Sequence, residues 1–355
     1  MAKRKIIFIV SILATIVIAY FVVAEAFPKD LNRFPVFVLI LLLDLYLWLS
    51  LRKRLSFRRK IWSYLFKGGY WLPLLLAIAL GIGSLFVNLY VWLPHLTTYA
   101  GGFIFIIYSA KLVIILFFLL ADLYRIISHT LRFAYHRHRK TPCPEKTTNM
   151  SRGRFLKNIG LISGGLVFSG MVIGAVRWAY DFRIRREYLR FPMMPRQLEG
   201  VKIIQISDLH LGSFANKNAL MDAVEVINSE SPDFIMFTGD LVNFLTREAY
   251  RYKWILKQLK ARFGVFAVLG NHDYGDYVKW DSPEEKAQNL RDLEDLYEEL
   301  GWYLLRNDHK LAKVNNIPVA ILGVENWSTY DRFPRLGDVN KAKEGSEMAL
   351  FNIML

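Results

Sequence analysis

The sequence predicts two structural classes in one chain: an α-helical transmembrane region and, after it, an α/β domain built as a sheet with helices on its faces. Three observations support this division. Apolar residues make up 54% of the 355 residues, and their excess lies before about residue 180. Residues 1–200 carry 28 basic and 8 acidic side chains, a net charge of +20, whereas residues 201–355 carry 18 and 23, a net charge of −5. Beyond residue 200, apolar strand-like segments alternate with helix-like segments.

Five apolar stretches approach or exceed the roughly 20 residues that a helix needs to cross a bilayer. A core helix of a soluble protein would show a polar face, and the first four stretches show almost none. The sequence therefore predicts about five transmembrane helices within residues 1–180, a linker over residues 181–199 and a folded domain over residues 200–355. The five stretches are Ile6–Phe27, Phe34–Leu51, Tyr70–Pro94, Tyr99–Ala121 and the glycine- and serine-rich Ile159–Ala179.

Basic side chains predict the orientation of these helices. They cluster before the first stretch and in the loops over residues 52–67 and 132–157, and the positive-inside rule places all three segments in the cytoplasm. Five crossings then place the folded domain on the extracytoplasmic side of the cell membrane. If the fifth stretch does not cross, that domain is cytoplasmic. The residues that disagree with the extracytoplasmic placement are Arg183, Arg185, Arg186 and Arg190.

The segment before the fifth stretch has two interpretations. Ser151–Lys157, with Arg152 and Arg154 separated by Gly153, resembles a twin-arginine export signal. It is equally interpreted as the ordinary basic flank of a transmembrane helix. Both interpretations favour the same topology.

The basic excess does not indicate nucleic-acid binding by the folded domain. The formal net charge of +15 arises from residues that flank apolar stretches, where they set topology and meet anionic lipid headgroups. Membrane lipid is therefore an expected partner and nucleic acid is not, while the sequence leaves the oligomeric state unknown. Cys143 is the only cysteine, so no internal disulfide can form.

Two charged residues interrupt the apolar stretches. Asp44 lies in the second stretch and Lys111 in the fourth, both near the middle of the membrane because these two stretches run in the same direction. An intramembrane charge costs roughly 2.5–3.5 kcal/mol on insertion scales and usually has a partner. The sequence predicts that Asp44 and Lys111 pair, the alternative being a separate polar contact for each.

The folded domain is predicted to alternate strands and helices. The predicted helices are Asn216–Ser229, Arg247–Arg262 and Pro283–Leu300. The predicted strands are Val201–Ser207, Phe234–Thr238, Gly264–Leu269, Trp302–Leu305, Leu311–Val314 and Val319–Val324.

Polar clusters follow the first three predicted strands. In α/β sheets the carboxyl ends of the strands are where ligands bind, because side chains converge there. Asp208 and His210 are two residues apart, so an extended backbone directs both to one side. Each cluster alone is a weak signal, but their order and their spacing of about 30 residues make a strong one together. The clusters are Ser207-Asp208-Leu209-His210, Thr238-Gly239-Asp240 and Gly270-Asn271-His272-Asp273.

This set of motifs resembles the calcineurin-like metallophosphoesterase family, in its membrane-associated bacterial branch. The resemblance implies a metal-dependent hydrolase with two divalent ions, Mn, Fe, Zn or Mg. It implies that Asp208 and His210 hold the first ion, that Asp240 bridges both and that Asn271 holds the second. It also implies that His272 is catalytic, contacting the substrate phosphate and protonating the leaving oxygen.

The same resemblance shows a departure from the family pattern. Complete members supply three further histidines downstream, and here only His309 follows His272, in a charged segment where a solvated turn is expected. Ala349–Leu355 resembles a core strand that stops where the next ligand loop would begin. We therefore expect a phosphoesterase domain that is truncated at its C-terminus and that has little activity by itself.

Three functions are compatible with these patterns. The first is hydrolysis of a phosphate ester or pyrophosphate at the membrane surface, with a phosphorylated small molecule or lipid as substrate; one subgroup of the branch is similar to hydrolases of UDP-diacylglucosamine. The second is a catalytically inactive membrane scaffold or binding protein with a decayed domain. The third, a transporter, is disfavoured because the helical half has few intramembrane charges and no visible inverted repeat.

Overall fold

The computed structural model describes residues 2–52, 59–139, 152–331 and 333–355. Cys143 and Ser151 lie outside these ranges. The chain forms two compact units, the first comprising residues 1–87 and 99–179 and the second comprising residues 88–98 and 180–355.

The first unit is helical. Within the residues that the structure describes, four helices are long and apolar enough to cross a membrane, and α1 adds a shorter apolar segment, Ala14–Ala26. These four helices agree with the predicted membrane region, while the first crossing stays a prediction. The helices of residues 1–180 are α1 (Ala2–Ala26), α2 (Phe34–Leu51), α3 (Lys60–Phe86), α4 (Leu89–Trp92), α5 (Pro94–Arg139) and α6 (Arg152–Val176).

The third predicted span, Tyr70–Pro94, has the wrong limits. Helix α3 begins ten residues earlier, at Lys60, and ends at Phe86, after which Val87 adopts an extended conformation (φ −138°, ψ 154°). Residues 87–94 are apolar, but they do not continue α3. They contain the short helix α4, and Pro94 begins α5. Apolar composition indicates which residues can lie in a membrane. It does not indicate where a helix ends, because helix ends depend on local backbone geometry.

A buried ion pair joins three helices of the first unit. The Lys111 Nζ on α5 lies 2.7 Å from Asp44 Oδ1 on α2, and Asp44 is fully buried. The Tyr108 hydroxyl donates to Asp44 Oδ2 at 2.5 Å, and the Tyr70 hydroxyl on α3 donates to the Asp44 carbonyl at 2.7 Å. The predicted pair is confirmed, and two tyrosines complete its hydrogen bonding.

Small residues and a second ion pair join α5 to α6. A Cβ on Gly164 would lie 2.3 Å from Ile114 Cγ1, and one on Gly160 would lie 2.6 Å from Phe117 Cβ, so the two helices approach closely at these glycines. Near this contact the Lys157 Nζ lies 2.7 Å from Asp122 Oδ1.

The second unit contains two sheets. Strands β1 (Ile203–Ile206), β2 (Phe234–Phe237), β3 (Val265–Ala267) and β4 (Tyr303–Leu304) form a parallel sheet in the order β1-β2-β3-β4. Strand β5 (Asp308–Val314) pairs antiparallel with β6 (Ile317–Gly323), which pairs parallel with β7 (Phe351–Met354). The helices are α7 (Lys217–Ser229), α8 (Arg247–Tyr250), α9 (Lys253–Leu256), α10 (Pro283–Leu300) and α11 (Val339–Lys343).

The two faces of the parallel sheet have different coverings. Ile235 and Phe237 of β2 belong to one hydrophobic cluster together with residues of α7, α9 and α10. Phe234 and Met236, on the opposite face, cluster with residues of β5 and β6 such as Ile321. The α/β class is confirmed, and the second sheet adds a layer that the sequence did not predict.

Helix α10 has the predicted limits because both of its ends carry strong signals. The Ser282 hydroxyl accepts a hydrogen bond from the Glu285 N–H at 3.2 Å, Pro283 occupies the first turn, and Gly301 ends the helix with φ 75°. The prediction of one helix over Arg247–Arg262 is wrong, since α8 and α9 are separate. Tyr252 between them is fully buried and donates its hydroxyl to the Phe214 carbonyl, a tertiary contact that overrides helix propensity.

The prediction of a solvated turn at His309 is also wrong. His309 is the second residue of β5 and pairs with Leu322 of β6. Its side chain is only 17% exposed. The chain bends two residues earlier, at Asn307, which has φ 51°. The charged residues on either side of His309 belong to strand β5, where successive side chains point to opposite faces.

One carboxylate, that of Asp273, holds two loops of the second unit in place. It is fully buried and accepts hydrogen bonds from the backbone N–H groups of Asp240 (2.8 Å), Leu241 (2.9 Å), Val242 (3.3 Å) and Gly270 (3.0 Å). Burial, reinforced by the charge of Asp240, raises the pKa of Asp273 to about 7, although the backbone donors act in the opposite direction. The loops after β2 and β3 are therefore fixed to one group.

We expect Asp44 and Lys111 to be energetically coupled. Replacing either with Asn or Gln, respectively, leaves a polar partner in an apolar environment, so each single change should lower the melting temperature of the detergent-solubilised protein. The double variant should lose less stability than the two single variants lose in sum, and the difference, the coupling energy, should be about 0.5–3 kcal/mol. If the stability losses of the two single variants add up to the loss of the double variant, the pairing of Asp44 with Lys111 is contradicted.

We expect Asp273→Asn to destabilise the second unit by about 1–3 kcal/mol, because an amide NH2 would face backbone donors that now share a carboxylate. Chemical unfolding with metal chelated measures the effect without a contribution from bound cation. Asp308→Asn, at a side chain that is 69% exposed, is the matched control and should change little. Equal stability of the Asp273 and Asp308 variants would refute the role given to Asp273.

Candidate metal centre

The predicted site residues follow three neighbouring parallel strands. Asp208 and His210 come after β1, Asp240 after β2, and Asn271 and His272 after β3. The backbone links the first two loops directly, since the Asp208 N–H donates to the Gly239 carbonyl at 3.1 Å and the His210 N–H to the Asp240 carbonyl at 3.0 Å. The topology thus brings the three sequence clusters to one edge of the sheet.

Three of these residues have a left-handed backbone. The φ angles are 55° at Asp208, 44° at His210 and 58° at Asp240. A residue with a Cβ adopts this conformation only at a cost of order 1 kcal/mol, and such residues cluster at functional sites. The loops also touch at Gly239 and Gly270, where a Cβ on Gly239 would lie 2.2 Å from the Gly270 nitrogen, so no side chain fits.

A set of possible metal ligands converges at this edge. His210, Asp240 and His272 each offer one ligand atom, and these atoms all lie within 4.8 Å of one another. The His210 Nε2 lies 3.7 Å from Asp240 Oδ2 and 3.7 Å from Asp208 Oδ1. These separations are longer than hydrogen bonds and close to the spacing of about 3–3.5 Å between ligands that surround one divalent cation at 2.0–2.2 Å.

The donor chemistry of the set fits a divalent cation. Imidazole and carboxylate are ligands that Zn²⁺, Mn²⁺ and Fe²⁺ accept, and all three residues are half-buried or buried. The His210 Nδ1 is buried and has no hydrogen-bond partner among the residues that the structure describes, so no hydrogen bond found there commits this imidazole to another role.

Asp208 and Asn271 lie beside this set. The Asp208 side chain is 63% exposed, accepts from the Ser207 hydroxyl at 2.5 Å and is not one of the three converging ligands. The Asn271 Nδ2 donates to the Tyr277 hydroxyl at 2.9 Å, which leaves the amide oxygen as its remaining donor atom for a cation.

Two hydrogen bonds hold His272, one through its backbone N–H and one through its imidazole ring. Its backbone N–H donates to Asp240 Oδ1 at 2.9 Å, and its Nδ1 lies 2.8 Å from the Asn243 carbonyl. A carbonyl only accepts, so this contact places the proton on Nδ1 and leaves Nε2 for other partners. The His272 ring stacks on the Tyr277 ring with centroids 4.0 Å apart and also lies edge-on to His210 at 4.7 Å.

Asn243 is itself fixed by two groups that the sequence patterns did not reveal. The Glu248 carboxylate is buried and accepts from the Asn243 N–H at 2.7 Å, while the Ser213 hydroxyl accepts from Asn243 Nδ2 at 2.7 Å. Burial raises the pKa of Glu248, although its backbone donors oppose the rise. The only available sequence signal was an acidic residue in an apolar segment, which is equally typical of a helix N-terminus.

Comparison with protein families agrees with this geometry. Residues 201–345 match the family described as "Calcineurin-like phosphoesterase", and residues 32–178 match the one described as "Probable Calcineurin-like phosphoesterase, transmembrane domain". The first match contains all of the predicted site residues, and the second covers the four long apolar helices. Members of this phosphoesterase family are metal-dependent.

Individual relatives are similar over part of the chain. The chain is 32% identical over 135 residues to the uncharacterized metallophosphoesterase YkuE of Bacillus subtilis, an alignment that covers 36% of this chain and 46% of that protein. It is 42% identical over 100 residues to the UDP-2,3-diacylglucosamine pyrophosphatase LpxG of Chlamydia trachomatis, covering 28% and 30% of the two chains.

The chain thus spans less than half the length of these relatives. No solved structure is significantly similar to it. The two family matches, together with the converging ligands after β1, β2 and β3, show that the chain belongs to the calcineurin-like phosphoesterase family and combines that domain with a transmembrane domain.

Proposed function

We propose that this protein is a membrane-anchored hydrolase of phosphate esters or pyrophosphates, with a lipid-linked or nucleotide-sugar-lipid substrate. The observation that carries the proposal is the convergence of His210, Asp240 and His272 at the carboxyl edge of the parallel sheet. In this half-buried group the His210 imidazole and the Asp240 carboxylate suit a cation, and the His272 imidazole lies close enough to contact a phosphate that the cation binds.

The proposal includes two divalent cations, Mn, Fe, Zn or Mg. We assign Asp208 and His210 to the first, Asp240 to both and Asn271 to the second. When bound, such a pair of cations offsets the charge of a phosphoryl group and activates water for attack. The role of Asp240 is supported by its position, because Oδ2 faces His210 whereas Oδ1 accepts the backbone N–H of His272.

His272 is proposed as the group that contacts the phosphate and donates a proton to the leaving oxygen. Its Nδ1–H is committed to the Asn243 carbonyl, so Nε2 is the atom that gains and releases the proton. Imidazole suits general acid–base work near neutral pH. The positions of Glu248 and Ser213 around Asn243 keep this carbonyl, and therefore the imidazole, in one orientation.

The membrane unit and the likeness to LpxG support a substrate with a lipid part. LpxG is a UDP-2,3-diacylglucosamine pyrophosphatase, so its name combines a diacylated nucleotide sugar with cleavage of a pyrophosphate. The competing proposal, a catalytically inactive scaffold, predicts that the domain binds no catalytic cation and turns over no phosphoester.

We also propose that the phosphoesterase domain lies on the extracytoplasmic side. Basic loops support this placement, and the arginines after α6 were the opposing signal. In the structure, Arg183 pairs with Asp181 and Arg186 pairs with Glu230, so two of the four are partly neutralised. Acidic residues contribute little to the positive-inside rule, so these pairs leave the arginines as the opposing signal, and the basic loops carry the proposal.

In a form of the protein that also carries the downstream histidines of the family pattern, we expect Asp240→Asn to reduce both bound Mn²⁺ and the rate of phosphodiester hydrolysis, since it removes a charge from the centre of the ligand set. The loss in rate should be at least about 100-fold, the scale on which electrostatic stabilisation at an active site acts. Metal content and hydrolysis of bis(p-nitrophenyl) phosphate would be measured in parallel with Asp295→Asn, an exposed helical control. Undiminished Mn²⁺ and turnover in the Asp240 variant would reject the assigned role, and a wild-type protein that neither binds Mn²⁺ nor turns over phosphodiester would favour the scaffold.

Reporter fusions at about residue 200 test the sidedness. Alkaline phosphatase folds only outside the cytoplasm, so we expect this fusion to be active and a cytoplasmic reporter at the same position to be inactive. Charge-neutral variants of Arg185 and Arg190 should leave the result unchanged. The reverse pattern of activity would place the domain in the cytoplasm and remove the topology proposed here.

A further inference from the structure

We infer that Tyr277 is a positioning residue of this site, which sets the orientation of both Asn271 and His272. The inference rests on the proposed function of the site but concerns a residue outside the motifs that define the family resemblance. It follows from two contacts that one side chain makes in different directions.

The first contact uses the Tyr277 hydroxyl. It accepts a hydrogen bond from the Asn271 Nδ2 at 2.9 Å. An amide has an NH2 side and a carbonyl side, and only the carbonyl oxygen can bind a cation. By holding the NH2 side, Tyr277 directs the oxygen of Asn271 away from itself and leaves it available as a ligand.

The second contact uses the face of the Tyr277 ring. It stacks on the His272 imidazole with centroids 4.0 Å apart and an interplanar angle of 13°. The Phe333 ring lies 5.1 Å from the Tyr277 ring, at 42°. His272 is therefore confined in its plane by Asn243 and across its plane by Tyr277, which together leave the imidazole little freedom to rotate.

The turn between His272 and Tyr277 places the Tyr277 ring beside His272. Gly275 has φ 71°, and its N–H donates to the His272 carbonyl at 3.2 Å. The Trp280 indole N–H donates to the Gly275 carbonyl at 2.8 Å, and Lys286 pairs with Asp276. These contacts hold the turn, and with it Tyr277, through groups that are not proposed cation ligands.

Two substitutions separate the two contacts. Tyr277→Phe keeps the stacked ring and removes the acceptor of the Asn271 amide, whereas Tyr277→Leu removes both. Tyr250→Phe and Tyr250→Leu are the matched controls, because Tyr250 is 47% exposed on α8 and makes no contact with the site residues among those described. All variants would be prepared as the full chain in detergent micelles.

The Mn²⁺ affinity tests the contact with Asn271. Free Mn²⁺ would be followed by electron paramagnetic resonance during titration of each variant. We expect Tyr277→Phe to weaken Mn²⁺ binding about 10-fold, the usual loss when a partner of a metal ligand is removed. Tyr277→Phe with wild-type Mn²⁺ affinity would overturn this half of the inference, and since the substitution preserves shape, misfolding would not obscure the result.

The turnover number at saturating Mn²⁺ tests the contact with His272. For bis(p-nitrophenyl) phosphate, kcat is compared between Tyr277→Phe, which keeps the ring stacked on His272, and Tyr277→Leu, which removes it. Tyr277→Leu should lower kcat about 10-fold or more with an unchanged KM, because a general acid contributes about 10²–10⁴-fold and loses part of this when misoriented. Equal kcat values for the two variants would overturn the stacking role. A wild-type chain without turnover would contradict the proposed function alone, and Mn²⁺ affinity would then decide the inference about Tyr277.

Discussion

The candidate metal centre depends on a single buried carboxylate. Asp273 accepts four backbone N–H groups from the loops after β2 and β3, and it lies next to the site without facing it. Since those loops carry Asp240 and His272, the separation of the two side chains is set by main-chain hydrogen bonds. A site built in this manner is organised before a cation arrives, which lowers the reorganisation needed on binding.

The sequence predicted the elements whose determinants are local. Helix α10 has a serine cap, a proline in its first turn and a terminal glycine, and its predicted limits agree with the structure. The second sheet was not predicted, because β5 to β7 carry no signal that separates pairing with β4 from pairing among themselves. The division between α8 and α9 was missed for a related reason: it follows from the burial of Tyr252, which depends on residues distant in the chain.

A similar distinction applies to the site and to the membrane unit. Residue types at strand ends predicted that Asp208, His210, Asp240, Asn271 and His272 would converge, and charge in an apolar stretch predicted the pairing of Asp44 with Lys111. The groups that orient these residues were not predictable. The Asn243 carbonyl is a backbone atom and has no residue signature, and Tyr277 and Tyr108 are ordinary aromatic residues until the fold places their hydroxyls.

The left-handed backbone at Asp208, His210 and Asp240 bears on whether the domain is still under selection for cation binding. Glycine or asparagine would occupy these three positions with less strain, so random substitution in a domain that no longer binds cations would tend to be retained there and would raise its stability. A chain that keeps aspartate and histidine at all three carries a cost that folding alone does not explain. Strain of this kind clusters at functional sites, and it is the pattern expected where the side chains at Asp208, His210 and Asp240 matter more than local stability.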